Sequence, residues 1–328
     1  MSVGLAQYET HFRLVVRQFK NWKVIPFLGA GVNLCGRPSG TQWARDHFLP
    51  SGGELTDHLV ESFTYPEGEP KDLLRVSQFA SIELGMRELY EDLRLIFNND
   101  YPPTVLHDFL ARLPATLRAK GYPRGQFLVV TTNYDDVLEQ AFRAAGEPFD
   151  MVSYIADGEH QGKFRHTPPG SADPVVVENP NEYKGLLMDA RDNPRTDWNI
   201  ILKIHGAVDR VDKVRDSYVI TEDHYIDYLT QTNVTNLLPV PIPAKLKESH
   251  FLFLGYSLSD WNLRVILRRI WRNQKLSSKS WAVEVRRKPL DEEFWKKRDV
   301  DFVNADLKEY ISELDARVRA LPPVGGGA

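Results

Sequence analysis

The fold prediction for this chain starts from two apolar stretches, Ile201-Leu202-Lys203-Ile204-His205-Gly206 and Val129-Val130-Thr131-Thr132-Asn133-Tyr134-Asp135. Each is rich in β-branched residues and ends in polar side chains, a pattern typical of buried strands in a parallel sheet. In such sheets the ligand lies outside the carboxyl ends of the strands. We therefore expect Asn133, Asp135 and His205 to face one crevice.

A third apolar run, Val24-Ile25-Pro26-Phe27-Leu28, leads directly into Gly29-Ala30-Gly31. A glycine turn at a strand end can bring backbone N–H groups against a phosphate. The alternative is a tight turn without a ligand, since Leu34 stands where the usual dinucleotide fingerprint has its third glycine. The side chain of Asn33 can either hydrogen-bond a phosphate or cap the following helix.

The composition is that of an ordinary globular protein. The chain has 328 residues, of which 42% are hydrophobic and 26% charged, and this length suffices for one or two domains. A net charge of −4 argues against a chain that coats nucleic acid. The first residues show no secretory pattern and no window is long enough to cross a bilayer, so we expect a cytoplasmic protein without a membrane anchor.

The cysteine count limits the covalent and metal chemistry. A single cysteine, Cys35, excludes an internal disulfide and fits a reducing compartment. No HExxH or similar spacing of metal ligands occurs along the chain. We therefore predict no metal site.

Helical and strand patterns alternate along the chain. We predict helices at residues 9–20, 71–97, 136–145, 222–231, 263–271 and 307–321, another starting at 102–104, and strands at 127–131, 218–221, 251–254 and 281–285, the last of these ending the sheet. This alternation predicts an α/β fold with a doubly wound, Rossmann-like parallel sheet that spans residues 1–328 as one domain.

Two loop-rich segments interrupt this alternation. Residues 156–198 contain many prolines and glycines, which disfavour regular helices, and we predict a smaller subdomain inserted there between two sheet strands. Residues 35–40 directly follow the glycine turn and are also rich in turn-forming residues. They would form either a mobile lid over a ligand or a plain surface connection.

Four short motifs then occur in a defined order: Gly29-Ala30-Gly31-Val32-Asn33, Thr132-Asn133-Tyr134-Asp135, His205-Gly206 and Leu254-Gly255-Tyr256-Ser257. They resemble the GAGxS, TQNxD, HG and GxS segments of the sirtuin fold. Over residues 24–314 the likeness is strongest to the prokaryotic sirtuin-like domains of antiphage defence systems. This resemblance implies NAD as substrate and NAD+ hydrolysis as the usual activity.

The resemblance also implies roles for particular residues. Asn133 would orient a water or a ribose hydroxyl, and His205 would accept a proton. The alternatives are a helix-capping Asn133 and a purely structural His205. The implied NAD-binding residues are Gly29, Ala30, Gly31, Val32, Asn33, Thr132, Asp135, Gly255, Ser257 and Asp260, although Asp260 is equally suited to capping the next helix.

The predicted function is that of an NAD+ glycohydrolase that yields nicotinamide and ADP-ribose, linear or cyclised, as an effector of bacterial antiphage defence. Typical sirtuin deacylases hold zinc with four cysteines, which one cysteine cannot supply, so no zinc is expected. Two alternatives stay open, an NAD-dependent protein deacylase and a non-enzymatic nucleotide-binding module. The resemblance implies control by homo-oligomerisation or by a partner such as a DNA-translocating ATPase or an Argonaute-like protein.

Basic residues are frequent between residues 264 and 298. They could contact nucleic acid or an acidic partner. We favour a solvated helix face, because no aromatic residues interleave with them in the pattern of a single-strand-binding surface.

Overall fold

The structure, a computed structural model, describes residues 4–188, 193–230, 237–256, 267, 279–285 and 289–324. Within these ranges the strands are β1 (Val24–Leu28), β2 (Gln126–Thr131), β3 (Asp150–Tyr154), β4 (Phe164–Thr167), β5 (Val175–Val177), β6 (Trp198–Lys203), β7 (Gly206–Ala207), β8 (Ser217–Tyr218), β9 (His250–Leu254), β10 (Ser280–Val283) and β11 (Val300–Val303). The helices are α1 (Glu9–Lys20), α2 (Gly52–Ser62), α3 (Leu73–Glu83), α4 (Met86–Phe97), α5 (Val105–Ala119), α6 (Val137–Ala144), α7 (Glu222–Thr230), α8 (Pro241–Glu248), α9 (Pro289–Lys296) and α10 (Leu307–Arg319).

A nine-stranded sheet in the order β11-β10-β9-β1-β2-β6-β3-β4-β5 organises these elements. The strands from β11 to β3 are parallel, and β4 and β5 are antiparallel at one edge. From β1 the chain moves to β2 on one side and later returns to β9 on the other. The strand order therefore reverses at β1, and ligands bind outside the carboxyl ends of strands at such a point.

Helices cover both faces of this sheet. Along β1, Val24 and Leu28 pack on one face, which α1, α5, α6 and α10 cover. Ile25 and Phe27 pack on the opposite face with residues of α7, α8 and α9. Because both faces are covered, the central strands are apolar on both sides. This arrangement confirms the prediction of a doubly wound α/β fold.

A third apolar cluster lies beside the carboxyl ends of the strands. Leu59 of α2, Val76 of α3 and Leu93 of α4 pack there against two tyrosines. Tyr134 lies in the loop after β2, and Tyr218 is in β8. The three helices form one wall above the ends of the central strands. Residues 71–97 form two helices rather than one, because the backbone turns at Gly85 with a φ of 93°.

The segment predicted as an inserted subdomain, residues 156–198, supplies β4 and β5 in its described part. These strands extend the main sheet beyond β3. A bridge between Met188 and Pro194 lies in the same segment. The boundary at 156–198 stays a prediction.

The end of the chain corrects one expectation. The sheet does not end at residues 281–285, because β11 follows and pairs with β10 in parallel. The predicted strand at 218–221 is also shorter, since only Ser217–Tyr218 pair. No helix among the described ranges combines the length and the apolar character needed to cross a membrane.

Candidate active site

A cavity of about 340 Å³ opens at the carboxyl ends of β1, β2 and β9, beside the chain that leaves β6. Its wall includes predicted site residues from all four motifs: Gly29, Ala30, Gly31, Asn33, Thr132, Asn133, Asp135, His205 and Gly255. Helices α2, α3 and α4 close the opposite side with Leu55, Leu73 and Phe97. Val32 lies in the hydrophobic core instead. Ser257 and Asp260 lie outside the described residues.

The loops after β1 and β9 pack directly on each other. The Gly31 amide donates to the Gly255 carbonyl oxygen at 2.9 Å. A Cβ atom at Gly31 would lie 2.7 Å from that oxygen, and one at Gly29 would lie 2.5 Å from Tyr256 Cδ2. Gly255 has a φ of 65°, in the left-handed region that favours glycine. Close packing between the two loops therefore requires all three glycines.

The contact between the two loops also uses most of the backbone N–H groups of the glycine turn. The amides of Gly29, Gly31 and Val32 donate to the carbonyls of Leu254, Gly255 and Gly29. They are therefore not available as phosphate donors in this conformation. Phosphate binding at this turn stays a prediction that is supported by the turn's place in the cavity wall.

Asn33 and Asp135 are joined across the cavity wall. The Asn33 Nδ2 atom donates to Asp135 Oδ2 at 3.0 Å. The other carboxylate oxygen, Oδ1, accepts from the amide of Val137 at 3.1 Å, at the start of α6. Asn33 Oδ1 is buried and has no partner within the described part of the chain. Asp135 thus orients Asn33 and stabilises the first turn of α6.

Asn133 is partly exposed where it lines the cavity. Its backbone amide donates to Thr131 Oγ1 at 3.0 Å, and its side-chain Nδ2 donates to the Gly29 carbonyl at 3.4 Å. The side chain that accepts from an amide at the start of α6, that of Val137, is Asp135 and not Asn133. The helix-capping alternative for Asn133 therefore gains no support.

His205 is buried, with 4% of its surface exposed. Its Nδ1 atom lies 3.4 Å from the Tyr225 hydroxyl, and its Nε2 atom has no partner among the residues that the structure describes. Burial lowers the pKa of the imidazole to about 3, so the ring is neutral near pH 7. Gly206 follows with a φ of 85°, and a Cβ atom there would lie 2.2 Å from the Ser217 carbonyl oxygen.

A buried ion pair lies under the cavity wall and has no role in the sequence prediction. Lys203 Nζ is 2.8 Å from Glu139 Oε1, and both side chains are almost fully buried. Lys203 also donates to the carbonyl of Asp135. A lysine within an apolar strand is the signal that could have revealed this pair, since buried lysines are almost always paired.

Tyr225 is another residue that sequence reasoning missed. It is located on α7, 20 positions beyond His205, and its ring packs edge-on against the imidazole at 5.4 Å between centroids. No motif marks this tyrosine, so its contact with His205 follows only from the fold.

The described residues meet neither the requirements for a metal site nor those for a reactive thiol. Those residues contain no group of three or more His, Cys, Asp or Glu side chains that could hold a metal ion. Burial raises the pKa of the Cys35 thiol to about 12, which disfavours the reactive thiolate.

Most of the basic segment at residues 264–298 lies outside the described residues. Among its described members, Lys279 pairs with Asp301, Lys296 with Glu292 and Lys297 with Glu293. The Arg298 guanidinium lies 3.6 Å from the centroid of the Phe294 ring. The described cations thus have local partners, which supports the interpretation as a solvated surface.

A family model described as a SIR2-like domain matches residues 128–303, which is more than half of the chain. The chain belongs to the SIR2-like domain family. The match includes the strand ends that carry Asn133, Asp135, His205 and Gly255. It begins after the glycine turn at residues 29–31, which the structure nevertheless places in the same cavity.

Two named relatives extend this comparison. The SIR2-like chain is 24% identical over 290 residues to Defense-associated sirtuin 2 of Bacillus subtilis, a match that covers 85% of the chain and 22% of that protein. It is 29% identical over 188 residues to NAD(+) hydrolase ThsA of Enterococcus faecium, which covers 57% of the chain and 30% of that protein. The chain therefore spans less than a third of the length of either relative.

Proposed function

We propose that this SIR2-like domain is an NAD+ glycohydrolase that cleaves the nicotinamide–ribose bond. The observation that carries the proposal is the cavity into which four separate strand ends bring Asn133, Asp135, His205 and the paired glycine loops. Its volume falls within the range of small-molecule sites. The activity named for the Enterococcus faecium relative supports the same reaction.

The reaction requires no redox step. As the bond between ribose C1′ and the nicotinamide nitrogen breaks, its electron pair stays on nitrogen and neutralises the cationic ring. The ribose passes through a state that resembles an oxocarbenium ion. Water then adds to C1′ and loses a proton, which gives ADP-ribose and nicotinamide.

The side chains of the cavity fit the demands of that step. The Asn133 amide both donates and accepts, so it can hold the attacking water or a ribose hydroxyl in position. A neutral His205 is able to accept a hydrogen bond from the same group. Its low pKa makes it a weak base. Water becomes strongly acidic as its bond to C1′ forms, so a weak base can still take the proton.

The biological role that we propose is that of an effector in bacterial antiphage defence. Its support is the likeness to a protein named as a defence-associated sirtuin. Cytoplasmic location, homo-oligomerisation and control by a DNA-translocating ATPase or an Argonaute-like partner remain predictions.

The test incubates purified protein with NAD+, with and without an acetyl-lysine peptide, and measures nicotinamide by chromatography. We expect nicotinamide and ADP-ribose in both tubes and no effect of EDTA, because no structural zinc is expected. Release of nicotinamide only with peptide, together with O-acetyl-ADP-ribose, would replace the proposal with a deacylase. NAD+ binding without turnover, even with the candidate partner or DNA present, would favour a binding module.

A further inference from the structure

Lys203 and Glu139 lie directly behind the cavity wall, on β6 and α6. The ammonium group of Lys203 donates both to Glu139 Oε1, at 2.8 Å, and to the backbone carbonyl of Asp135. The second carboxylate oxygen, Glu139 Oε2, is buried without a partner among the described residues. The pair therefore connects the strand that precedes His205 with the loop that carries Asn133.

The loop from Thr132 to Asp135 is held at both ends by β6. At its start, Thr131 is aligned with Lys203 in the parallel ladder, and the Ile204 amide donates to the Thr131 carbonyl at 3.1 Å. At its end, the Lys203 side chain holds the Asp135 carbonyl. Asn133 lies between these two attachments. His205 follows Lys203 by only two residues.

A buried ion pair contributes little net stability compared with well-packed apolar residues of similar volume. Stability alone is thus a weak reason for a lysine inside the strand Trp198–Lys203. An apolar side chain would fill the same space, but it could not donate to the Asp135 carbonyl. What a buried donor adds here is a direct hydrogen bond from β6 to the Asp135 carbonyl, at the end of the 132–135 loop. The Val208 amide also holds this loop, through the Tyr134 carbonyl at 2.9 Å, but its acceptor is Tyr134 and not Asp135.

We propose that Lys203, held by Glu139, is a positioning residue that fixes Asn133 relative to His205. The inference rests on the NAD+ hydrolysis proposed above, because it assigns a task to the geometry between those two side chains. Lys203 itself does not touch substrate in this scheme. Its contribution is to the rate of the bound complex rather than to NAD+ affinity.

The central experiment replaces the pair by apolar residues of similar size, in the double variant Lys203→Met with Glu139→Leu. We expect a midpoint of thermal unfolding a few degrees below that of the wild type, because the buried Asp135 carbonyl loses a donor. The kcat for nicotinamide release should fall by about 10²-fold, since a displacement of about 1 Å can have that effect. The KM for NAD+ should stay near the wild-type value. Amides of residues 133–137 should exchange hydrogen faster than in the wild type.

Lys245→Met is the matched control. Lys245 is a second buried lysine, and its ammonium donates to the backbone carbonyl of Trp22. That contact lies at the amino-terminal edge of the sheet, next to the start of β1. Its loss should leave kcat and the exchange of residues 133–137 unchanged. The control thus shows whether an effect on kcat comes from losing a buried lysine in general or from losing Lys203 in particular.

The outcomes separate this inference from the proposed function. A stable double variant with wild-type kcat and wild-type exchange at residues 133–137 overturns the positioning role. If the wild type shows no NAD+ cleavage under any condition, the proposed function fails. Exchange at residues 133–137 still decides whether Lys203 holds the loop, because that measurement does not depend on turnover. The single variant Lys203→Met is expected to unfold more easily, since it leaves Glu139 buried without its partner.

Discussion

The His205 Nδ1 atom lies 3.4 Å from the Tyr225 hydroxyl, whereas Nε2 of the same ring has no partner within the described residues. If Nδ1 carries the proton and donates to the tyrosine oxygen, Nε2 keeps a free lone pair. A neutral imidazole in this tautomer can accept a proton from water or from a ribose hydroxyl. The contact thus suits the role proposed for His205.

Replacement of His205 by alanine should abolish NAD+ cleavage and leave the fold intact. General-base catalysis usually contributes a factor of about 10² or more, so the rate should fall at least that far. Nicotinamide release and circular dichroism measure the two properties. His250→Ala, at the amino-terminal end of β9, should keep the wild-type rate. A His205→Ala rate above about a tenth of the wild type would contradict the general-base role.

Asn133→Ala should lose turnover but still bind NAD+. Among the described residues, the side chain makes one hydrogen bond, to the Gly29 carbonyl at 3.4 Å, so the loop depends little on it. Calorimetry should give an affinity near that of the wild type, and nicotinamide release should be nearly absent. Abolished binding would instead assign Asn133 to anchoring the cofactor or to the structure of the loop.

Asp135→Ala should behave differently from Asn133→Ala. It removes the acceptor for both the Asn33 side chain and the Val137 amide. Leaving a buried donor such as the Val137 amide without an acceptor costs about 1–3 kcal/mol, so the free energy of unfolding should fall measurably in urea titrations. Unchanged stability would show that Asp135 does not hold Asn33 and α6 as the structure indicates.

The sequence alone predicted the strand ends that line this cavity. It did not predict that α2, α3 and α4 close the opposite side. Stretches such as residues 127–131 and 251–254 are apolar on both faces because helices cover both sides of the sheet, and this composition is visible without coordinates. Helix α2 has a mixed pattern, and its partners Tyr134 and Tyr218 are distant in sequence. The contacts of Lys203 and Tyr225 likewise depend on how separate elements meet, which local periodicity does not encode.

The glycine turn at residues 29–31 shows a second feature that the sequence could not predict. Its pattern predicted a close approach of backbone to phosphate, whereas the structure shows a close approach to the loop after β9. Both situations exclude a side chain, so the sequence cannot distinguish them. Only the positions of Gly255 and Tyr256 reveal that the neighbouring loop already requires glycine at residues 29 and 31.

Gly31→Ala should therefore destabilise the protein even without NAD+. The new methyl carbon would lie 2.7 Å from the Gly255 carbonyl oxygen, so the two loops must separate. Overpacking of this kind typically costs about 1–3 kcal/mol. Gly53→Ala is the control, because a Cβ atom there meets nothing within 4 Å. Equal melting temperatures for the two apo variants would contradict the packing argument.

The protein should lose stability steeply in mild acid because His11, His107 and His205 are neutral in the folded chain near pH 6. Burial lowers the pKa of His11 and His107 to about 4 and that of His205 to about 3, from 6.5 in each case. Below pH 6.5 the unfolded chain binds protons at these sites while the native protein does not. Their contribution is complete above pH 6.5 and is lost as the pH falls toward the native values.

The test is the pH dependence of the free energy of unfolding between about pH 6 and pH 4.5. In this range each histidine that is neutral in the native protein adds a slope of about 1.4 kcal/mol per pH unit.

The variant His107→Gln should lower this slope by the contribution of one histidine, about 1.4 kcal/mol per pH unit, and keep the free energy of unfolding near pH 7 unchanged. The reason is that His107 Nδ1 accepts from the Thr104 amide at 3.2 Å, and glutamine at this third helical position can accept the same bond. An unchanged slope in His107→Gln would show that His107 is already protonated in the native protein over this range.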